Sequence, residues 1–406
     1  MDIDPILTAL AAALAGDGPA VQLLPRDPEW LLPGIELVPD ACSSIPGDPA
    51  AAGDPEAAGG IAVVVSTSGS TGRPKQTMLS TEALAASSMA TAVALGGEGQ
   101  WLLALPPHYV AGIQVLVRSL FAGTRPVLMD RSGGFTPEAF TAAAAQMTDP
   151  VRYVSLVPTQ LQRLLDGPTP AALAVLRRFN AILLGGSPAS PALLEAALDA
   201  GVRVVTTYGM SETCGGCVYD GVPLEGVQVD VRDGRVWLGG EVVASGYRHA
   251  PALTGESFSV AASEPKLGQG PVRWYKTEDA GELSADGTLT VTGRIDDVII
   301  TGGLKVSANL VAEQLKLVGG VSDAFVLGLP DREWGQRVCA ALVGNCSLQQ
   351  LGKEAADLLP AWAVPKTVLF VPQIPMLPTG KPDRLALRQL LESGGTGLDA
   401  HTRRTN

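Results

Sequence analysis

Residues 61–75 read IAVVVSTSGSTGRPK, an unbroken apolar run followed by a loop of hydroxyls and glycines that ends in lysine. Five consecutive apolar residues, Ile61 to Val65, predict a buried strand. Gly69 and Gly72 admit backbone conformations and close approaches that a side chain would block. Around them stand the hydroxyls of Ser66, Thr67, Ser68, Ser70 and Thr71, together with several free main-chain N–H groups. A strand, such a loop, an ammonium and a helix-like segment after them make a concave donor site suited to a polyphosphate. The Walker pattern G-x-x-x-x-G-K-[ST] does not fit. Gly72 is followed by Arg73-Pro74, and Lys75 by Gln76 where a metal-binding hydroxyl would stand. The plainer alternative, a flexible Ser/Gly loop, would require neither the strand before it nor the helical pattern after it.

A chain of 406 residues has room for two or three domains and a substantial core. Its composition, 46% hydrophobic and 17% charged, is that of a globular protein. The net charge is −12 with the acids scattered, which argues against nucleic acid or an anionic membrane as a partner. Any anion it binds must be held by a local site. The five cysteines do not form a disulfide framework, and the lone C-x-x-C of Cys214 and Cys217 has no second pair or histidine cluster to make it a metal or redox centre. Reduced thiols are expected. The start, MDIDPILTALAAALAG, carries acids where a signal peptide carries bases, and no apolar stretch approaches the ~20 residues of a membrane span. A soluble, cytoplasmic protein without membrane insertion is expected.

Before residue 60 lie one helix-like stretch and a Pro/Gly/Ala-rich segment, CSSIPGDPAAAGDPEAAGG, which reads as loop or linker. Ser80 can cap a helix through EALAASSMATAVAL, and Thr136 with Pro137 opens another in FTPEAFTAAAAQM. WLLAL, RPVLM, RYVSLVP, NAILLGG and RVVTTYG read as strands with helices between them. This alternation predicts an α/β fold, a mostly parallel sheet covered by helices. From about residue 227 the pattern changes to period two around Asp233-Gly234, a hairpin signature, and a small β region continues through GELSADGTLTVTGR. Beyond it, a small α+β domain is predicted, ending near residue 393, and then a disordered tail over 394–406.

Ligands of open parallel sheets gather at the carboxyl ends of strands, so RVVTTYG should deliver Tyr208 to Thr213 to the crevice of the 66–75 loop. Tyr208 offers a flat ring for a purine or is a core residue. Glu212 offers a hard oxygen for Mg²⁺ or is a solvated loop acid. Asp279, in KTEDAGEL, could accept from ribose hydroxyls or serve as a turn acid. Lys381, in LPTGKPDR, sits on a tight turn that would present an ammonium on a movable element, or it is simply exposed.

Taken in order, STSGSTGRPK, YGMSET, TEDAGEL, GRIDDVIITGG and PTGKPDR resemble the adenylate-forming superfamily of acyl- and aryl-CoA ligases, adenylation domains and luciferases, over about residues 61 to 390. The resemblance implies a large N-terminal domain (1–295) for ATP and the carboxylate, and a mobile C-terminal domain (296–393) hinged at Asp296. It implies that Thr67, Ser68, Gly69, Ser70, Thr71, Gly72 and Lys75 grip the phosphates of ATP. Gly186, Ser187, Tyr208 and Gly209 would surround the adenine, with Ser211 beside the α-phosphate and Glu212 on Mg²⁺. Asp279 and Arg294 would bind ribose, and Lys381 would stabilise charge as the carboxylate attacks. In the second half-reaction Gly302 and Gly303 would let the pantetheine arm of coenzyme A pass close to the backbone. His108, in LPPHYVAG, matches an aromatic position that gates the thiol tunnel, although a packed neutral histidine would look the same.

Only 65 residues precede Ser66, fewer than the family usually has, which implies a shortened N-terminal part and points away from ligases of long fatty acids. The stretch YGMSETCGGCVYDGVPLEGVQVDVRDGRVWLGGEVVASGYR is similar to the o-succinylbenzoate–CoA ligases of menaquinone biosynthesis, and the glycines near Cys214 and Cys217 would leave space for an aromatic ring. TEDAGEL departs from the family in placing Glu278 where most members have glycine, while keeping Asp279. The expected partners are therefore a small aromatic carboxylic acid, ATP and coenzyme A, and a homodimer is compatible with the resemblance. Another small aryl- or acyl-CoA ligase is the nearest alternative. A nucleotide-binding module without catalysis would have lost Lys75, Glu212 or Lys381, and all three are present.

Overall fold

The structure is a computed structural model that describes residues 2–26, 32–39, 60–67, 75–261, 271–376 and 382–397, with Asp296 described by its main chain. The described chain is mixed α/β and divides into two compact units. The first comprises Met1–Asp230, Trp237–Thr277 and Ser284–Leu289; the second comprises Val231–Val236, Glu278–Leu283 and Thr290–Asn406. Among the described residues no helix is long and apolar enough to cross a membrane.

Two sheets organise the first unit. Helix α1 (Asp4–Ala15) precedes the first sheet, which contains strands β1 (Ala20–Leu24), β2 (Gly34–Val38), β3 (Ile61–Thr67) and β4 (Lys75–Ser80), with a two-residue edge strand, Gly246–Tyr247, on β4. Only β1 and β3 run parallel; the other pairs are antiparallel. The predicted strand over 61–65 is there, and Val63 and Val64 are fully buried. Its continuation differs from a strand–loop–helix. Lys75 opens a second strand, so the hydroxyl-rich loop joins two antiparallel strands whose ends, Thr67 and Lys75, are direct partners. Helix α2 (Thr81–Leu95) begins one residue later, where Ser80 accepts from the Ala83 N–H as its sequence position predicts.

The second sheet follows the predicted alternation. Strands β5 (Gln100–Leu103), β6 (Val127–Leu128), β7 (Arg152–Leu156), β8 (Ala181–Leu184) and β9 (Val204–Met210) pair in parallel in the order 6-5-7-8-9. Strands β10 (Gly215–Tyr219) and β11 (Val222–Pro223) then extend the β9 edge antiparallel. Leu102, Val154, Ile182 and Leu184 bury one face against Phe140, Leu161 and Leu176. Helix α3 (Val110–Phe121) starts just after His108, and its first turn lies so close to the preceding loop that a Cβ on Gly112 would stand 2.2 Å from the Pro106 carbonyl oxygen.

In the second unit, a glycine turn joins the strands Val298–Thr301 and Leu304–Ser307, and helix Ala308–Leu315 follows. Strand Val321–Asp331 pairs antiparallel with Gly335–Gly344, which in turn pairs parallel with Thr367–Phe370. Its core gathers Ile299, Val311, Leu315, Val326, Val338 and Leu342. Asp233 and Gly234 both take positive φ (51° and 76°), the turn that the hairpin pattern calls for. The tail differs from expectation at its start. Helix Arg384–Gly394 runs through 394, and Thr396–Gly397 pairs with Thr367–Val368, so these residues are held by main-chain bonds; residues 398–406 lie outside the described ones. The Pro/Gly/Ala-rich segment up to residue 59 also falls outside them, apart from Gly60.

The Pro106–Gly112 contact yields a first test. Gly112→Ala must push α3 off the His108 loop, because the neighbour is a main-chain carbonyl and not a pliable side chain. The expected cost is about 1–3 kcal/mol of stability, read as a lower urea midpoint with unchanged slope.

Candidate active site

The strand register explains why the predicted residues of the first unit converge. The carboxyl ends of β7, β8 and β9 lie side by side, and Gly185 donates from its N–H to Leu156 O at 3.1 Å. A Cβ on Gly185 would stand 2.5 Å from Thr207 Oγ1, which itself donates to Leu184 O at 3.2 Å. Gly186 follows with φ +85°, the left-handed region that glycine adopts without strain. Gly186–Ser187 and Tyr208–Gly209 are thus carried by adjacent strand ends, and Ser187 and Tyr208 are both half-buried. A Cβ on Gly209 would lie 2.1 Å from Gly215 O, so β9 and β10 approach at a distance only glycine allows.

Between β9 and β10 the chain makes a short helical turn, Ser211–Thr213. Thr213 Oγ1 accepts from the Met210 N–H at 3.1 Å and donates to Gly215 O at 2.8 Å, which fixes that turn from within. Glu212 is only 7% exposed. Its carbonyl accepts from the Ala244 N–H at 2.9 Å, and Tyr247 Oη donates to its Oε1 at 2.8 Å. The reading of Glu212 as a solvated loop acid is therefore excluded. Burial and the Glu212 carboxylate push the Tyr247 phenol far above its ordinary range, so it stays a donor. Lys75 Nζ sits over the Tyr247 ring, 5.2 Å from its centroid.

The fit of Glu212 to magnesium rests on its unused oxygen. Oε1 has the tyrosine, while Oε2 has no donor and the carboxylate has no cationic partner among the described residues. No group of three or more His, Cys, Asp or Glu gathers among them. A single protein carboxylate is nonetheless an ordinary ligand set for Mg²⁺, which keeps waters and takes substrate phosphates for the remaining positions.

His108 is buried, with its ring centroid 4.2 Å from that of Tyr109. Burial, then the Arg131 charge, hold its imidazole down to about 4, so it is neutral at pH 7. Cys214 and Cys217 are both free and buried; burial raises the first thiol and pushes the second up to about 12. The glycines beside them differ in the room they leave: a Cβ on Gly215 would meet nothing nearer than Gln114 Cγ at 3.6 Å. A Cβ on Gly216 would meet Thr207 Cβ at 3.0 Å and Tyr219 Cε1 at 3.1 Å, so this glycine serves strand packing.

The second unit brings another pair together. Asp279, on strand Val272–Leu283, and Arg294, at the end of strand Leu289–Arg294, approach to 3.9 Å. Asp296 belongs to the turn Ile295–Asp297, and Gly302 and Gly303 have positive φ (55° and 80°) at the tip of their hairpin. Ser68, Gly69, Ser70, Thr71, Gly72 and Lys381 lie outside the described residues.

Two side chains of the first unit escaped the sequence reading. Arg118, on α3, is 7% exposed, stacks at 5.0 Å on the Trp101 ring, leaves Nε without a hydrogen bond, and has no carboxylate in ion-pairing reach among the described residues. One turn earlier, Gln114 donates to Cys214 O at 2.6 Å while its buried Oε1 has no partner. The available signal was a charged residue inside the apolar run IQVLVRSLF. Tyr247, in SGYRHAP, had no signal of its own.

Two family models match the chain: AMP-binding enzyme over residues 16–248, and AMP-binding enzyme C-terminal domain over residues 311–381. A probable 2-succinylbenzoate–CoA ligase of Mycobacterium tuberculosis is 41% identical over 390 residues, which cover 94% of this chain and 94% of the relative. The solved o-succinylbenzoate CoA synthetase of Bacillus subtilis in complex with the acyl-adenylate intermediate OSB-AMP is similar with a TM-score of 0.69 and 27% identity, over 81% of this chain and 69% of that one. A structure of that synthetase with ATP and magnesium ion gives 0.68 and 27%, over 82% and 70%.

The His108 environment predicts a pH dependence. Its folded value lies below the ordinary 6.5, so the unfolded chain takes up a proton that the native state refuses. The stability this group permits is complete above 6.5 and is lost as the pH falls toward about 4. An NMR titration of the imidazoles should show His108 still neutral at pH 5, and His108→Phe should flatten the stability profile across that window.

Proposed function

Because the chain belongs to the AMP-binding enzyme family, we propose that it is an ATP-dependent, AMP-forming acid–CoA ligase whose acid is o-succinylbenzoate. The observation that carries the substrate is the likeness to the mycobacterial ligase across nearly the whole of both chains. In the first half-reaction a carboxylate of the acid attacks the α-phosphorus of ATP and pyrophosphate leaves. In the second, the thiol of coenzyme A attacks the acyl carbon and AMP leaves.

Each residue then has work that its setting suits. Thr67 and Lys75, paired across β3 and β4, fix both ends of the loop through Gly72 that receives the phosphates. Gly186, Ser187, Tyr208 and Gly209 form the adenine wall, and Ser211 lies at the α-phosphate. Glu212 holds the magnesium, which when bound offsets phosphate charge and makes phosphorus a better electrophile. Asp279 and Arg294 take the ribose. Lys381 places an ammonium where charge builds up during the attack. The segment from Asp296 onward moves about that residue as a domain between the two half-reactions, and the Gly302–Gly303 turn admits the pantetheine arm. Neutral His108 lines the thiol's approach without an ion to repel or trap it. The reading places the enzyme in the cytoplasm, in menaquinone biosynthesis.

The acid has two carboxylates, and only one is activated. Arg118 is the cation for the other. An unpaired buried guanidinium is costly, and sites of this kind are where ligand charge is met.

The test of the reading is pyrophosphate release with a panel of aromatic and aliphatic acids, coenzyme A present. o-Succinylbenzoate should lead by a wide margin; equal turnover of simple benzoates or short fatty acids would contradict it. Arg118→Leu should raise KM for the diacid by about a hundredfold, the scale of losing a buried charge partner. It should leave the melting temperature of the ligand-free protein level or higher, because an uncompensated buried charge has gone.

A further inference from the structure

The five signature motifs leave Tyr247 out, yet its side chain touches both Glu212 and Lys75. The phenol donates to Glu212 Oε1 at 2.8 Å, and its ring face lies 5.2 Å from Lys75 Nζ. Register brings this about. The edge strand Gly246–Tyr247 pairs with β4 so that Tyr247 stands opposite Thr77. Lys75 is two residues from Thr77, hence on the same face of β4 and diagonal to the tyrosine. The backbone under the ring is held as well. The Tyr247 N–H donates to Thr254 Oγ1 at 2.9 Å, and a Cβ on Gly246 would come within 2.5 Å of Thr254 Cγ2. Phe258 packs against the ring at 5.3 Å between centroids. Tyr247 is 2% exposed, and its phenol has the Tyr275 side chain as a further hydrogen-bond partner.

From this geometry we infer that Tyr247 is a positioning residue for the first half-reaction. Its hydroxyl occupies one oxygen of Glu212 and aims the other at the metal, while its ring supports the ammonium at the end of the phosphate loop. The inference rests on the ligase reading and deepens it. A buried carboxylate with a single donor is otherwise free to rotate, and a lysine at a strand terminus is otherwise free to sample many rotamers. One rigid aromatic side chain restricts both, so metal and phosphate contacts are set together. Cation–π contact of this kind is worth more where the ring is withdrawn from solvent.

Tyr247→Phe removes the hydroxyl and keeps the ring. Mn²⁺ binding in the presence of a non-hydrolysable ATP analogue, followed by electron paramagnetic resonance, should weaken about tenfold. The Mg²⁺ concentration for half-maximal pyrophosphate release should rise to the same degree, with thioester formation from supplied acyl-adenylate near wild type. Tyr247→Leu, which also removes the ring, should further weaken binding of the analogue with metal chelated. Glu212→Gln alone and combined with Tyr247→Phe should give the same metal affinity, since the tyrosine acts through the glutamate. Wild-type metal dependence in Tyr247→Phe would overturn the inference. So would a fall of both half-reactions together with the melting temperature, the mark of a purely structural pair. If the wild-type protein released no pyrophosphate with any acid yet still bound Mn²⁺ with the analogue in a Tyr247-dependent way, the ligase reading would fail and the positioning role would stand.

Discussion

A carboxylate taken out of water needs donors or a counter-charge, and among the described residues Glu212 has one tyrosine hydroxyl. The neighbouring structure is what keeps this costly group in place. Thr213 closes the Ser211–Thr213 turn, the Ala244 N–H grips the Glu212 carbonyl, and Gly209 lets β9 and β10 approach too closely for the turn to swing out. A free loop would relieve the acid by turning it to solvent. This one cannot, and on the proposed reading it is the magnesium that meets the charge.

The same logic covers the positive charges. The chain carries a net −12, a field that repels ATP, an aromatic diacid and coenzyme A alike. Binding such anions calls for cations that act at short range in places water does not screen. Lys75 lies over an aromatic ring at the end of a paired hairpin, and Arg118 lies over Trp101 inside the helical layer. Among the described residues neither has a carboxylate in ion-pairing reach, and both are backed by ring faces.

Much of this was legible in the sequence, and what was not has a common cause. Period and punctuation revealed the parallel strands β5 to β9, the caps at Ser80 and Thr136, and the Asp233-Gly234 turn, because these depend on residues a few positions apart. Strand β4 was missed. KQTMLS puts Met78 and Leu79 side by side and runs straight into a strong helix, so the alternation that marks a strand is hidden. Glu212 was singled out as a site candidate by its motif, but its burial and its tyrosine were not foreseen, since the two stand 35 positions apart. Arg118 showed as a charge in an apolar helix, a signal without direction until Trp101 and Cys214 are set around it. Contacts made by register between distant strands leave no trace in local pattern.

The division of the chain also follows from the chemistry proposed for it. Adenylation needs positive charge close to the α-phosphorus, to offset an anion approaching a polyanion. Thioester formation needs a thiol to reach the acyl carbon, and an ammonium crowding that carbon's leaving group occupies the same approach. No single rigid arrangement serves both steps. Lys75, Glu212 and Tyr247 lie in one compact unit, whereas Asp279, Arg294 and the Gly302–Gly303 turn lie in the other. On the proposed reading, the groups that meet the phosphates stand on paired strands and a locked turn, and the Gly302–Gly303 turn, required in the second step only, stands on a unit with its own core.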